Sequence, residues 1–245
     1  MEGQELLFDK RGPIGYLTFN RPDKLNAFNS ALIDLFERCL VEIEKDTSLR
    51  VIILTGAGDK AFIAGSDISD MKTRTGPSSW VISRTRQAFF RLLENLPQIS
   101  IAAVNGYAFG GGVEIAMACT FRIASEKARF GQTEANFNLI PGGGGTQRLC
   151  RLVGETHSIE MILTGRILKA PEALKIGLVN RVVPHNDLMK ECEDMARKLI
   201  ELEPYPVKIV RELIESGVAM DDRRVLRQTA TNFGLVAASR SVTYQ

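Results

Sequence analysis

Residues 105–114 read NGYAFGGGVE and lie between an apolar segment, 101–104, and a helix that begins at the triple glycine. Peptide N–H groups at the start of a helix have no intrahelical acceptor, and the helix dipole favours negative charge beside them. Glycine lets a ligand approach that backbone closely, although tight packing of a helix on a sheet also explains glycine there. The run lacks the spacing of a phosphate-binding loop. It therefore predicts either a set of exposed amide donors or a close helix–sheet contact.

Apolar segments and helical patterns alternate on both sides of this run. Strands are predicted at 5–9, 14–19, 51–55 and 101–104. Helices are predicted at 32–43, with Ser30 as the cap, and over 79–95 and 110–118. This order is typical of an α/β fold with right-handed crossovers. From about residue 187 the pattern is helical, which predicts an α/β core over 1–186 and a helical region over 187–245.

Composition excludes several classes of protein. A net charge of +2 is too small to indicate nucleic acid or an anionic membrane as the partner. No apolar run approaches the ~20 residues of a membrane span, and the acidic N-terminus does not resemble a targeting segment. The four cysteines are far apart and the two histidines lack ligand spacing, so we expect reduced thiols, no metal site and a cytoplasmic protein.

Two glutamates are the candidate catalytic residues. Glu114 falls in the first turn of the helix after the triple glycine, where the dipole favours a carboxylate whatever its function. Glu134 lies in a loop-like stretch before a run of four glycines, 142–145, whose ordering cost suggests a close contact with a ligand or another segment. Two carboxyl groups and exposed amides can move protons and stabilise a developing negative charge without a metal or bound cofactor.

The chain resembles the enoyl-CoA hydratase/isomerase (crotonase) family, and is most similar to the enoyl-CoA hydratases. The resemblance runs over roughly residues 5–240. The segments that carry it are Asn20–Ala27, Ala64–Ile68, Ala103–Gly106, Gly110–Gly112, Phe130–Glu134, Pro141–Arg148 and Leu163–Gly165.

The resemblance implies a spiral of ββα units with a C-terminal helical region that builds homotrimers, commonly paired into hexamers. It implies that the backbone amides of Ser66 and Gly111 form an oxyanion hole for the thioester oxygen of an acyl-CoA. Glu114 and Glu134, twenty residues apart, match the two glutamates of the hydratases. The implied reaction is hydration of a 2-enoyl-CoA to a 3-hydroxyacyl-CoA, with coenzyme A as part of the substrate and no separate cofactor.

The substrate-lining positions that the resemblance implies are Ala64, Ser66, Asp67, Ile68, Ser69 and Gly111, with Met71 near the acyl group. Ser66 replaces a usual alanine, which should not affect a backbone donor. Thr133 replaces a proline, Thr120 an aspartate and Asn138 a glycine, and the chain stops before the family's basic tail.

Two other functions compete with hydration. An acyl-CoA isomerase on the same scaffold would need Glu134 alone. A non-catalytic or RNA-binding member of the family is disfavoured, because the exposed side of helix 31–46 carries acidic residues and no comb of lysines.

Overall fold

The computed structural model describes residues 5–71, 75–217 and 222–238. It divides into two compact units, Met1–Arg197 and Lys198–Gln245. The division falls inside a helix that starts just after the predicted boundary at residue 186, so that helix belongs mainly to the first unit.

In the described part of the chain the strands are β1 (Leu6–Arg11), β2 (Ile14–Phe19), β3 (Val51–Gly56), β4 (Ala61–Ile63), β5 (Ile99–Val104), β6 (Tyr107–Phe109), β7 (Phe121–Ser125), β8 (Arg129–Gly131), β9 (Leu168–Lys169) and β10 (Arg181–Val183). The helices in the same part are α1 (Ser30–Lys45), α2 (Ile68–Met71), α3 (Gly76–Asn95), α4 (Gly111–Ala118), α5 (Gly145–Thr164), α6 (Ala170–Lys175), α7 (Leu188–Ile200), α8 (Pro204–Gly217) and α9 (Asp222–Ala238).

The strands form two sheets. The larger has the order β1-β2-β3-β5-β7-β10, parallel except for the β1–β2 hairpin. The smaller has the order β4-β6-β8-β9, with β9 antiparallel to β8. Each of the pairs β3–β4, β5–β6 and β7–β8 gives one strand to each sheet before the chain enters a helix. The implied spiral of ββα units is therefore confirmed.

The apolar patterns place the strands and helices around one core. Every residue of β5 is buried, as a parallel strand covered on both faces requires. Phenylalanines from β2, the loop before α1, α1, β4 and α3 meet edge to face in this core, with ring centroids 4.6 to 5.9 Å apart. This cluster fixes α3 against the sheets, and α3 forms one wall of the site described below.

Two predicted helix starts differ from the structure. Asn29, not Ser30, caps α1: its backbone is extended and its side-chain oxygen accepts a hydrogen bond from the Leu32 N–H at 2.7 Å. Helix α3 begins at Gly76, three residues before the predicted start, because Thr75 and Ser78 form a capping box.

The second unit is helical, as predicted from residue 187 onward, and α8 packs on α9. None of the helices in the described residues has the length and apolar character needed to cross a bilayer.

Candidate active site

A cavity of about 1210 Å³ opens in the first unit, bounded by the ends of β4 and β6, by α3 and by the segment 133–147. Its wall contains both candidate glutamates and both candidate oxyanion residues: Ser66, Gly111, Glu114 and Glu134. These residues are far apart in the sequence, and the close approach of β4, β6 and α4 brings them together.

Glu114 lies in the first turn of α4 and is 1% exposed. Its Oε1 accepts hydrogen bonds from the backbone N–H groups of Gly143 and Gly145, at 2.8 and 2.7 Å. The glycines are needed for this contact, since a Cβ on Gly143 would lie 2.6 Å from Oε2 and would overlap the Phe90 ring. The four-glycine run thus wraps a carboxyl group of the protein itself.

Glu134 begins a 3-10 helical turn, Glu134–Phe137, rather than an irregular loop. Its carboxyl group reaches Gly110, where an added Cβ would lie 2.9 Å from Oε1. Gln132 is fully buried and, with its amide nitrogen turned toward Glu134, donates to both carboxylate oxygens at 3.1 and 3.3 Å. These neighbours aim the Glu134 carboxyl group into the cavity.

The two carboxyl groups influence each other's ionisation. Burial raises the pKa of Glu114, while the N–H groups of Gly145 and Gly143 oppose that shift. Burial, followed by the negative charge of Glu114, raises the pKa of Glu134 to about 7. Two carboxyl groups that interact in this way titrate as a pair, so one can be protonated while the other is ionised.

The backbone at Ser66 and at Gly111 is oriented differently from its neighbours. Phe28 N–H donates to the Gly65 carbonyl at 2.8 Å and the Asp67 N–H donates to the Phe28 carbonyl at 2.7 Å, which leaves the intervening Ser66 N–H on the opposite side of the strand. Gly111 is the first residue of α4, after Gly110 with φ +50°. Within the described residues neither amide donates a hydrogen bond, and both residues line the cavity.

The sequence matches the family described as "Enoyl-CoA hydratase/isomerase" over residues 9–243. It is 43% identical over 234 residues to the "Short-chain-enoyl-CoA hydratase" of Clostridium acetobutylicum, covering 96% of this chain and 90% of that protein. It is 35% identical over 240 residues to the "Crotonyl-CoA hydratase" of Syntrophomonas wolfei, covering 98% and 92% of the two chains.

The chain belongs to the enoyl-CoA hydratase/isomerase family. A crystal structure of enoyl-CoA hydratase from Bacillus anthracis superimposes with a TM-score of 0.92 at 36% identity, over 97% of this chain and 92% of that one. The crotonase-like fold and the family resemblance are thus both confirmed.

The substrate-lining positions implied by the crotonase resemblance lie mostly on the cavity wall. Ala64, Ser66, Asp67, Ser69 and Gly111 all contribute to it. Ile68 begins α2, but its side chain, like that of Met71, lies outside the described part of the structure. The roles of these residues in binding an acyl-CoA stay predictions.

Asp67 also has a structural role that the sequence analysis missed. Its Oδ2 forms an ion pair with Arg21 Nη2 at 3.0 Å, and its Oδ1 accepts from Ser69 Oγ at 2.6 Å. These contacts, first that with Ser69 and then that with Arg21, lower the pKa of Asp67 to about 2. Arg21 also donates to the Ala27 carbonyl, so it ties the segment containing Ser66 to the loop before α1.

Two of the departures from the crotonase pattern have simple structural settings. Asn138 ends the 3-10 turn with φ +54°, a left-handed conformation in which glycine is easiest and asparagine is tolerated. Thr120 exchanges hydrogen bonds with Ser100 and does not line the cavity. Thr133 lines the cavity directly before Glu134.

Two polar residues of the site were not found by sequence reasoning. Gln132 lies in the segment Phe130–Glu134, which carries part of the family resemblance, but its contact with Glu134 depends on the fold. Arg86 lines the cavity from α3, on the same helix face as buried Phe89, Phe90 and Leu93. An arginine three positions before the apolar pair 89–90 was the available signal, because that spacing places it on the buried stripe.

Proposed function

We propose that the protein hydrates a 2-enoyl-CoA thioester to a 3-hydroxyacyl-CoA. The observation that carries this proposal is the pair of carboxyl groups, Glu114 and Glu134, that face one cavity with raised pKa values. Ser66 and Gly111 line the same cavity, and within the described residues their backbone amides donate no hydrogen bond. The printed names of the most similar proteins, which are hydratases of short-chain enoyl-CoA and crotonyl-CoA, support a short acyl chain.

In the proposed reaction the two glutamates hold one water molecule. The ionised carboxylate takes a proton from this water as its oxygen attacks C3 of the substrate. The N–H groups of Ser66 and Gly111 stabilise the enolate-like oxygen of the thioester, where one such donor is worth about 3 kcal/mol. The protonated carboxyl group then gives its proton to C2, so one water is added and the pair again holds one proton.

The hydrogen bonds that Glu114 accepts within the protein suit the proposed proton transfer. The carboxyl group is oriented by the backbone N–H of Gly143, in the loop before α5, and by that of Gly145, the first residue of α5. These two hydrogen bonds restrict its rotation. Ser83 Oγ on α3 donates to the Gly142 carbonyl at 2.7 Å and anchors that loop. Fixed geometry of this kind lowers the entropy cost of bringing water and substrate together.

The test is loss of the conjugated-thioester absorbance when the protein is mixed with crotonyl-CoA. We expect fast loss with the wild type and a decrease of about 10²- to 10⁴-fold in both Glu134→Gln and Glu114→Gln, since each removes one proton-transfer group. Chelator treatment should leave the rate unchanged if no metal takes part.

Retained double-bond isomerisation in Glu114→Gln, with no hydration by the wild type, would instead identify an isomerase. Absence of turnover with crotonyl-CoA and longer 2-enoyl-CoA substrates would contradict the proposal.

We also propose a homotrimer or homohexamer. The helices α8 and α9 support this, because the described part of this unit exposes large apolar side chains, namely Val210, Ile214, Leu226, Phe233 and Leu235. Binding to nucleic acid is not expected, and a cytoplasmic location, inferred from the scattered thiols, stays a prediction.

A further inference from the structure

Arg86 is a charged residue at a buried position of α3. It is 8% exposed and shares its helix face with Phe89, Phe90 and Leu93. Moving a guanidinium group away from water costs free energy that an apolar side chain at the same place would avoid. Its presence in the wall of the cavity therefore needs an explanation beyond packing.

The first contact of Arg86 is with Ser66. Arg86 Nη1 donates a hydrogen bond to Ser66 Oγ at 2.9 Å. On its other side the same backbone is bridged to Phe28. Ser66 is thus held from two directions, and its N–H lies on the side of the backbone away from Phe28.

The second effect of Arg86 is electrostatic. Its positive charge lowers the pKa of Glu114 and also that of Glu134, against the effect of burial on both. Another charged group that acts on the pair is Arg148 on α5, which lowers the pKa of Glu114 and forms an ion pair with Glu94 at 2.8 Å. Arg86 differs from Arg148 because it acts on both glutamates.

We propose that Arg86 is a positioning residue of the site, which orients the Ser66 amide through the serine hydroxyl and places a fixed positive charge beside Glu114 and Glu134. The inference deepens the proposed function and depends on it for its catalytic consequence. A guanidinium suits this role because it stays charged at every working pH and donates in fixed directions.

The main test compares Arg86→Met, which suits the apolar stripe, with Arg86→Lys, which keeps the charge. In Arg86→Met the acidic limb of the kcat/KM profile against pH should move to higher pH by about one unit. A neighbouring positive charge typically lowers the pKa of a carboxyl group by that much or more. The kcat of Arg86→Met should fall by about 10- to 100-fold, the effect of a small misplacement of reacting groups. Arg86→Lys should keep the position of the limb.

Two further variants separate the contributions. Ser66→Ala keeps the backbone N–H and the charge of Arg86 but removes the hydroxyl group through which Arg86 orients that N–H. We therefore expect kcat to fall while the pH profile stays in place. Arg91→Met makes the same substitution at an exposed position of α3 and should change neither quantity.

A titration that needs no turnover completes the test. Infrared absorption of protonated carboxyl groups, assigned to Glu134 with Glu134→Gln, should show Glu134 titrating at higher pH in Arg86→Met than in the wild type. An unmoved titration, or an unchanged kcat in Arg86→Met, would overturn the inference. If the wild type hydrates none of the substrates, the proposed function fails separately and the titration still decides the placement of the charge.

Discussion

Glu134 shows how single contacts set the chemistry of the cavity. Burial and the charge of Glu114 raise its pKa to about 7, whereas Arg86 acts in the opposite direction. A carboxyl group with its pKa near neutrality can be an acid in one step and a base in the next, which an exposed glutamate cannot do at that pH.

The same pKa predicts a cost in stability. A carboxyl group whose pKa is higher in the folded protein than in the unfolded chain destabilises the fold as pH rises from about 4.5 to about 7, and the cost is then constant. Relative to the wild type, Glu134→Gln should therefore become more stable between pH 5 and pH 8 by on the order of 2 kcal/mol.

Urea unfolding at both pH values measures this difference. The matched control is Glu126→Gln, which makes the same change of side chain at an exposed position away from the cavity. If the difference in free energy of unfolding between Glu134→Gln and the wild type were the same at both pH values, folding would not raise the pKa of Glu134.

Sequence reasoning found the residues of the site that belong to recognisable runs, Ser66, Gly111, Glu114 and Glu134, and the fold brings all four to one cavity. It missed Arg86 because a helical pattern is judged by its apolar members, and one charged residue on the stripe is normally taken for an exception. The catalytic roles of Glu114 and Glu134 and the oxyanion roles of Ser66 and Gly111 are still predictions. The kinetics of the variants described above test the roles of the glutamates.

At the scale of the elements, the close approach of α4 to β4 positions the cavity. A Cβ on Gly112 would overlap the carbonyl oxygen of Ile63 at the end of β4. The triple glycine therefore has two structural roles. Gly112 allows tight helix–sheet packing, and Gly111 places its backbone at the cavity wall.

Gly112→Ala should destabilise the protein by at least about 2 kcal/mol, because the added methyl group meets backbone that cannot move away without separating α4 from β4. Gly234→Ala is the matched control, since Gly234 is also helical but has open space around it. That change should stabilise α9 by about 0.5–1 kcal/mol.

Thermal unfolding of both variants measures the contrast. Equal small effects would show that α4 can shift away from β4, and that the approach of these elements is not a constraint on the fold.

Four strands of the larger sheet, β1, β2, β3 and β5, were predicted, and β3 and β5 are continuous apolar runs. The strands β7 and β10 of the same sheet were not predicted. The strands β4, β6 and β8 have three residues each, too few to show a period, so the spiral required the family resemblance. The predicted cap of α1 was wrong because two residues suited to capping, Asn29 and Ser30, are adjacent. Which of them caps the helix depends on local backbone angles.

At the scale of the whole molecule, the proposed assembly makes a simple prediction. Light scattering should give a mass three or six times the 27.1 kDa of one chain. Phe233→Glu should lower that mass, because a charge replaces an apolar side chain that is 75% exposed in the described chain. Gln228→Glu on the same helix should leave the mass unchanged. A wild-type monomer would contradict the proposal.

The N–H groups at Ser66 and Gly111 are main-chain atoms, and this has a consequence for how such a protein changes over generations. A missense mutation can delete a peptide N–H only by introducing proline, whereas one nucleotide change can convert either glutamate codon to glutamine. Under the proposed mechanism, inherited variation should therefore alter proton transfer by the glutamates far more readily than it alters stabilisation of a negatively charged oxygen by the two amides. We expect new reactions to arise on this scaffold by substitution of the acidic and basic side chains, while the backbone N–H groups of Ser66 and Gly111 stay unchanged.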